Sequence, residues 1–126
     1  SIPAAIGAKL ADPEKTVVAV CGDGSFQMQM MELATICQHD VDIKIVVMKN
    51  NKLGLVKEIQ KKSYKNNEMA VDLTGSPNVV TIAGAYGIPG RSIASMDDAE
   101  EAIAEMLDHK GVYLLECIVD ENEPSL

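Results

Sequence analysis

Three runs of apolar residues constrain the fold more than any other feature of this sequence. Residues 16–21 and 43–48 are rich in valine and isoleucine, and residues 112–119 are mostly apolar. None of the runs shows the strict alternation of a strand with one face in water. Unbroken runs of this kind are typical of strands covered on both faces, as in a parallel sheet.

Helical patterns separate these runs. Four segments are predicted to be helices: residues 3–10, 26–38, 78–86 and 97–109. A short strand is predicted at residues 91–95, before the last helix. Ser95 and Asp98 form a capping box for that helix. Its predicted buried face consists of Ala99, Ala102, Ile103, Met106 and Leu107. This alternation predicts an α/β fold, a three-layer αβα domain with a mostly parallel, doubly wound sheet and right-handed crossovers.

The length of 126 residues fits a single domain spanning residues 1–126. Residues 63–77 are polar and weakly periodic, which predicts a long loop or lid. The chain starts with a helix, whereas α/β domains usually start with a strand. We therefore expect a fragment of a longer protein.

Composition excludes several classes of function. With 11 Lys plus Arg against 19 Asp plus Glu and only four aromatic residues, the chain is a poor candidate for nucleic-acid binding. No apolar run approaches the roughly 18 residues of a membrane span, and no signal peptide is recognisable. The three cysteines read as free thiols, which indicates the reducing cytoplasm.

A Gly-Asp-Gly-Ser motif directly follows the first apolar run. Gly22 and Gly24 permit a tight turn and close approach of a ligand. The amides of Gly24, Ser25 and the first helical turn can point at a phosphate. Because an acidic side chain would repel a phosphate, Asp23 predicts a magnesium ion between carboxylate and phosphates. Taken alone, such a motif is more often a simple turn.

The second apolar run ends at Met48 and leads into a Lys-Asn-Asn-Lys-Leu-Gly segment, residues 49–54. If the first two strands are parallel neighbours, Asn50 emerges beside Asp23. Mg²⁺ prefers six oxygen ligands, and the Asn50 amide oxygen and Lys52 backbone carbonyl would suit it. The structural alternative is a loop in which asparagine tolerates left-handed backbone geometry.

Other phosphate-binding motifs fit less well. A P-loop needs a Gly-Lys-Ser/Thr ending, which is absent. A dinucleotide fingerprint starting at Gly22 meets Gln27 where its third glycine should stand. A nicotinamide-dependent (NAD) oxidoreductase is therefore a weaker alternative, and a non-catalytic module for dimer contact is a third.

The Gly-Asp-Gly-Ser motif followed by Asn50 resembles the signature of thiamine-diphosphate enzymes. Further segments resemble the acetolactate synthase (acetohydroxyacid synthase) family: residues 1–9 (SIPAAIGAK), 22–28 (GDGSFQM), 32–35 (ELAT), 53–56 (LGLV) and 85–88 (AYGI). The similarity covers nearly the whole chain. It implies a thiamine-diphosphate-binding fold and identifies the chain as the C-terminal, diphosphate-binding domain of such an enzyme, without its pyrimidine-binding and middle domains.

The resemblance implies thiamine diphosphate and Mg²⁺ as cofactors. Asp23, Asn50 and the Lys52 carbonyl would be the magnesium ligands. Gly24 and Ser25 would hold the diphosphate, and Met28 and Leu55 would lie against the thiazolium. The complete set of expected cofactor-binding residues is Gly22, Asp23, Gly24, Ser25, Met28, Asn50, Lys52, Leu53, Gly54 and Leu55.

By the same resemblance, the full enzyme would decarboxylate pyruvate and pass a two-carbon carbanion equivalent to a second 2-oxo acid, in branched-chain amino acid biosynthesis. It would be a homodimer or higher oligomer, and FAD in the parent enzyme would lie outside these residues. In the family, a glutamate from the partner chain's pyrimidine-binding domain assists ylid formation. No catalytic acid or base is therefore expected here. The fragment alone should bind cofactor weakly at best and should be inactive.

The sequence departs from the family at two places. Many biosynthetic members read Gly-Met-Val-Arg-Gln-Trp where residues 54–59 read Gly-Leu-Val-Lys-Glu-Ile. With Ile59 in place of the tryptophan, the second 2-oxo acid stays open, and a pyruvate oxidase or another 2-oxo acid decarboxylase is an alternative. Lys49 stands where relatives often have asparagine, whereas the ligand-bearing Asn50 is kept.

Two further features have ordinary explanations. The basic cluster Lys57, Lys61, Lys62 and Lys65 is expected to be a solvated helix face, with attraction of an anionic ligand as the alternative. Cys21, at the end of the first strand, is expected to be a buried thiol rather than a nucleophile.

Overall fold

The computed structural model describes residues 1–123, which form one four-stranded sheet with helices packed against it. In chain order the elements are α1 (Ile2–Ala11), β1 (Val18–Gly22), α2 (Asp23–Gln29), α3 (Glu32–Gln38), β2 (Lys44–Lys49), α4 (Gly54–Ser63), α5 (Val79–Ala85), β3 (Gly90–Ile93), a 3-10 helix (Met96–Asp98), α6 (Ala99–Asp108) and β4 (Tyr113–Ile118).

All pairs of neighbouring strands in this sheet are parallel, and their order is β1-β2-β4-β3. The prediction of a parallel α/β sheet is confirmed, and each of the four predicted strands is present within two residues of its predicted bounds. β1 and β2 are direct neighbours, with Gly22 opposite Met48. The segments that follow these two strands therefore emerge side by side.

The main core fills the face of the sheet covered by α1, α2, α3 and α5. Phe26, Leu33 and Ile36 are fully buried there, together with Ile45 and Val47 of β2. Burying a large apolar side chain of this kind contributes about 1.5–3 kcal/mol. This face holds the strands and the following helices in fixed positions.

The opposite face is only partly covered. Helix α6 buries Ala102 and Met106 against Tyr113 and Leu115. The predicted burial of Ile103 and Leu107 is wrong, because their exposed fractions are 44% and 46%.

The prediction that the strands are covered on both faces is wrong for β1. Val18 is 42% exposed and Val20 is 59% exposed, because no helix among residues 1–123 packs over them. A groove of about 810 Å³ lies between α6 and this uncovered part of the sheet.

The helices differ from the prediction in two ways. The predicted helix at residues 26–38 is divided at Met30 and Met31 into α2 and α3, and α2 already begins at Asp23. The sequence set no bounds for helix α4, which was implied only by the expected helix face of the basic cluster. Of its residues only Lys57 is buried, and its apolar side chains Leu55, Val56 and Ile59 are about half exposed.

Residues 64–78 form the predicted long loop, and this loop is docked. Val71 is 1% exposed and its carbonyl accepts a hydrogen bond from the Leu53 amide at 2.8 Å. The Leu73 amide donates to the Asn51 carbonyl, also at 2.8 Å. These two bonds attach the loop to the segment that follows β2.

Two helix starts use side-chain caps. The Asn78 side chain accepts from the Thr81 amide at 2.7 Å at the start of α5. Ser95 accepts from the Asp97 amide at 3.2 Å, which confirms the serine half of the predicted capping box. The helix expected from residue 97 begins as a 3-10 turn before α6. None of the helices in residues 1–123 has the length and apolar composition of a membrane span.

Gly90 permits the close pairing of β3 and β4. A Cβ at this position would lie 2.6 Å from the Leu114 carbonyl oxygen. Gly90→Ala is expected to lower the free energy of unfolding by about 1–3 kcal/mol, because the two strands must move apart. Urea denaturation followed by circular dichroism measures this change.

Gly84→Ala is the control, since a Cβ there meets no atom within 4 Å. Placed in helix α5, this substitution should raise the free energy of unfolding by up to about 1 kcal/mol. Equal effects of the two substitutions would contradict the packing at Gly90.

Candidate functional site

The carboxylate of Asp23 joins the segments that follow β1 and β2. Asp23 is 2% exposed. One carboxylate oxygen, Oδ1, accepts a hydrogen bond from the Gly24 amide at 2.8 Å, and the other, Oδ2, accepts one from the Asn51 amide at 2.7 Å. The expected meeting of the two segments at one edge of the sheet is therefore observed directly.

The segment after β2 is a tight turn organised by its own side chain. The Asn50 Oδ1 atom accepts a hydrogen bond from the Lys52 amide at 3.0 Å. Asn51 adopts a left-handed backbone conformation with φ of 55°. The turn explanation of the Asn-Asn pair is thus correct, and it leaves the Asn50 amide oxygen with capacity for a second contact.

The donor groups here fit a hard divalent cation. In the described part of the chain, Asp23 takes part in no ion pair, so its buried charge has only two amide donors. No hydrogen bond within residues 1–123 reaches the Lys52 carbonyl oxygen. A carboxylate, an amide oxygen and a backbone carbonyl are ligands that suit Mg²⁺.

Softer metals fit less well. Among the described residues no group of three His, Cys, Asp or Glu side chains could hold a metal ion. Zinc sites are usually built from such side chains.

An open cavity of about 640 Å³ lies beside these residues. All ten residues expected to bind the cofactor line it, so the structure brings them together in one place. Sequence reasoning missed six lining residues: Val20, Cys21, Met48, Val56, Val119 and Glu123. Val20, Cys21 and Met48 could have been inferred from the strand ends. Val119 and Glu123 depend on β4 lying next to β2, which the sequence did not reveal.

Gly24 has a different local role from the one expected. Its amide donates to Asp23 rather than pointing freely into the cavity. A Cβ at position 24 would lie 2.7 Å from Leu53 Cδ2 and 3.3 Å from Leu73 Cδ1. The glycine therefore lets the docked loop and the segment after β2 close against the start of α2.

Apolar side chains form another wall of the cavity. Met28 is 68% exposed and Leu55 is 51% exposed, so both offer apolar surface to a ligand. Ile59, on helix α4, is half exposed and is not among the residues that line the cavity.

Two lysines near the cavity are engaged by acidic and carbonyl groups. Lys52 pairs with Asp72 and, at 3.3 Å, with Glu121; the hydrogen bond to Asp72 is the main cause that raises the pKa of Lys52. Lys57 donates to the Glu121 carbonyl at 3.1 Å and to Asn122 Oδ1 at 3.3 Å.

The expectation of a solvated face is wrong for Lys57, which is 7% exposed because it reaches the C-terminal segment. The other three lysines of the basic cluster are exposed, as expected. None of those three lines the cavity beside Asp23.

Together these features define a class of protein: a parallel α/β domain with an open cavity and candidate divalent-cation donors at the carboxyl ends of neighbouring strands. Residues 1–117 match the family described as "Thiamine pyrophosphate enzyme, C-terminal TPP binding domain". The chain belongs to this family. The predicted resemblance to thiamine-diphosphate enzymes is confirmed, and the membership favours this cofactor over the nicotinamide alternative.

Curated relatives agree with the expected resemblance to acetolactate synthase. The chain is 39% identical over 122 residues to acetolactate synthase isozyme 2 large subunit of Escherichia coli (strain K12), covering 97% of this chain and 22% of that protein. It is 40% identical over 129 residues to acetolactate synthase 3, chloroplastic, of Brassica napus, covering 97% and 20% respectively. The chain thus spans about a fifth of the length of these relatives.

A solved structure agrees with the fold. The thiamine diphosphate-dependent 4-hydroxybenzoylformate decarboxylase of Rhodococcus jostii RHA1 superposes with a TM-score of 0.84 at 27% sequence identity. The match covers 96% of this chain and 23% of that one. The predicted thiamine-diphosphate-binding fold is therefore confirmed.

The Cys21 thiol lies in the cavity wall. Burial is the main cause that raises its pKa, and the side chain is 8% exposed. Because the thiolate is the reactive form, iodoacetamide should alkylate Cys21 at neutral pH more slowly than it alkylates N-acetylcysteine. As the pH is increased, the alkylation rate of Cys21 should rise at a higher pH than the rate of N-acetylcysteine does.

Peptide mass spectrometry after timed quenching measures both rates. Faster alkylation of Cys21 than of N-acetylcysteine would reveal an activated thiol and contradict this assignment.

Proposed function

We propose that this chain is the diphosphate- and magnesium-binding domain of an enzyme similar to acetolactate synthase. In that enzyme, pyruvate is decarboxylated and its two-carbon fragment is joined to a second 2-oxo acid. The observation that carries the proposal is the buried Asp23 carboxylate, which contacts the turn bearing Asn50 at the edge of the cavity.

In this proposal Asp23, Asn50 and the Lys52 carbonyl hold Mg²⁺. A carboxylate offers about four acceptor positions and an amide oxygen two, so the observed hydrogen bonds leave room for a metal. Those same bonds fix the direction of both side chains before the metal arrives. Prior orientation of ligands lowers the cost of binding.

Gly22, Gly24, Ser25 and Gly54 surround the diphosphate in this proposal. The chain is strongly acidic, so the positive charge that the diphosphate needs comes from the metal rather than from nearby lysines. Met28, Leu53 and Leu55 offer apolar contacts to the thiazolium and exclude water from it. When bound, the cofactor supplies the electron sink for decarboxylation of the 2-oxo acid.

The rest of the enzyme belongs to the same proposal. A pyrimidine-binding domain, a middle domain and a homodimer or higher oligomer are inferred from the resemblance to the family. A cytoplasmic location is inferred from the free thiols, and any FAD of the parent enzyme would lie outside these residues. The R. jostii structure favours a second candidate, a 2-oxo acid decarboxylase. Acetolactate synthase is preferred because the relatives with that name are about 40% identical, against 27% for the decarboxylase.

Isothermal titration calorimetry tests the cofactor site. Thiamine diphosphate should bind this chain when Mg²⁺ is present and much more weakly when EDTA removes it. Asp23→Asn should weaken Mg²⁺-dependent binding by about 100-fold or more, because the only charged ligand is lost.

Asp97→Asn is the matched control, since Asp97 is exposed and lies in the 3-10 helix. The Asp97→Asn variant should bind thiamine diphosphate with the same affinity as the unmodified chain. Equal affinity of the Asp23 variant and the control, or binding that ignores Mg²⁺, would sink the proposal.

A turnover assay tests the division of labour between domains. Incubated with pyruvate, thiamine diphosphate and Mg²⁺, this chain alone should form no acetolactate above the level without protein. The expected reason is that the family's ylid-activating glutamate belongs to the pyrimidine-binding domain. Acetolactate detected by a colorimetric assay, and lost with Asp23→Asn, would show that this chain contains a catalytic group of its own.

A further inference from the structure

A buried ion pair lies directly before the turn that bears Asn50. Lys49, the last residue of β2, places its Nζ atom 3.3 Å from Oε1 of Glu116 on β4. The side chains are 13% and 2% exposed. Within residues 1–123, Lys49 is the sole ion-pair partner of Glu116, and the Glu116 Oε1 atom has no hydrogen-bond partner.

Lys49 is also held by two other parts of the chain. Its Nζ atom donates to the Pro77 carbonyl at 3.3 Å, at the end of the docked loop. Its backbone carbonyl accepts from the Val119 amide at 3.0 Å, just beyond β4. One residue therefore connects the ends of two strands with the loop that leads into α5.

The direction of the Lys49 side chain sets the direction of its neighbour. Successive side chains of a strand point to opposite faces. Lys49 follows the alternation of Ile45 and Val47, which face the main core. Asn50 is then turned away from that core and lines the cavity.

We propose that Lys49 and Glu116 are a positioning pair for the metal-binding turn. Their ion pair prevents rotation of the end of β2, and so directs Asn50 and the Asn51 amide toward Asp23. The role of Asn50 as a metal ligand rests on the proposed function, whereas the positioning itself concerns only this chain.

Stability alone is a weak explanation for the pair. Replacing a buried ion pair with apolar residues of similar size is often neutral or stabilising, because the charges lose hydration. A pair at the end of a strand, in contact with a loop carbonyl, fixes geometry instead. Removing the ion pair is therefore expected to loosen the turn rather than the whole domain.

Lys44 provides a matched control on the same strand. It is 4% exposed and lies at the opposite end of β2, where it bonds to Asp42 and to the carbonyls of His109 and Gly111. Lys44→Met removes a buried lysine of the same strand without touching the turn.

Amide hydrogen exchange followed by NMR, without any ligand, tests the inference. The variant is the double substitution Lys49→Met with Glu116→Gln, which removes both charges at nearly constant size. Lys49→Met alone would leave the Glu116 charge buried without a partner and destabilise the whole domain. The readouts are the Asn51 amide, which donates to Asp23, and the Val47 amide in the core.

In the double variant, the protection of the Asn51 amide against exchange should fall. This fall should exceed any fall at the Val47 amide by about tenfold or more. In Lys44→Met the two amides should change by the same factor. Glu116→Gln alone, which keeps a neutral acceptor for Lys49, should give the same pattern with a smaller effect and serves if the double variant does not fold. Equal changes at Asn51 and Val47 in a folded variant of the pair would overturn the inference.

A separate calorimetric titration with Mg²⁺ and thiamine diphosphate keeps the two proposals distinct. If the unmodified chain does not bind, the proposed function fails while the exchange result still decides the positioning role. If it binds, the double variant should bind about tenfold more weakly. Unchanged affinity would overturn the assignment of the pair to the metal-binding turn.

Discussion

The site depends on the parallel pairing of β1 with β2. This pairing places Gly22 opposite Met48, and the next residue, Asp23, then reaches the Asn51 amide at 2.7 Å. Two segments that are distant in sequence therefore contact each other directly. The cavity, the candidate cation donors and the apolar wall are all arranged around that contact.

The charges around the cavity favour the cation of the proposed function. The lysines nearest the cavity are already engaged: Lys52 with Asp72 and Glu121, and Lys57 with the C-terminal segment. Glu123 adds a further acid to the lining. A diphosphate would therefore meet a mostly negative surface, and the proposed metal ion at Asp23 would reverse the sign of that charge.

The sequence predicted those parts of the fold that have local signals. Apolar runs located three of the four strands. The Gly-Asp-Gly motif with Asn50, together with the resemblance to acetolactate synthase, located ten residues that line one cavity. The order of the strands was not predictable, because pairing of β2 with β4 joins residues far apart along the chain. Val119 and the Lys49–Glu116 pair were missed for that reason. Burial of Lys57 depends on a similarly distant contact, with Glu121.

The uncovered part of the sheet has a consequence for energetics. Met48, like Val119 and Glu123, lines both the candidate cofactor cavity and the groove beside α6, so the two surfaces are adjacent. Any polypeptide segment seated in the groove would restrict that methionine. By thermodynamic reciprocity, a segment that tightened cofactor binding by some factor would itself be held more tightly by the same factor once cofactor was present.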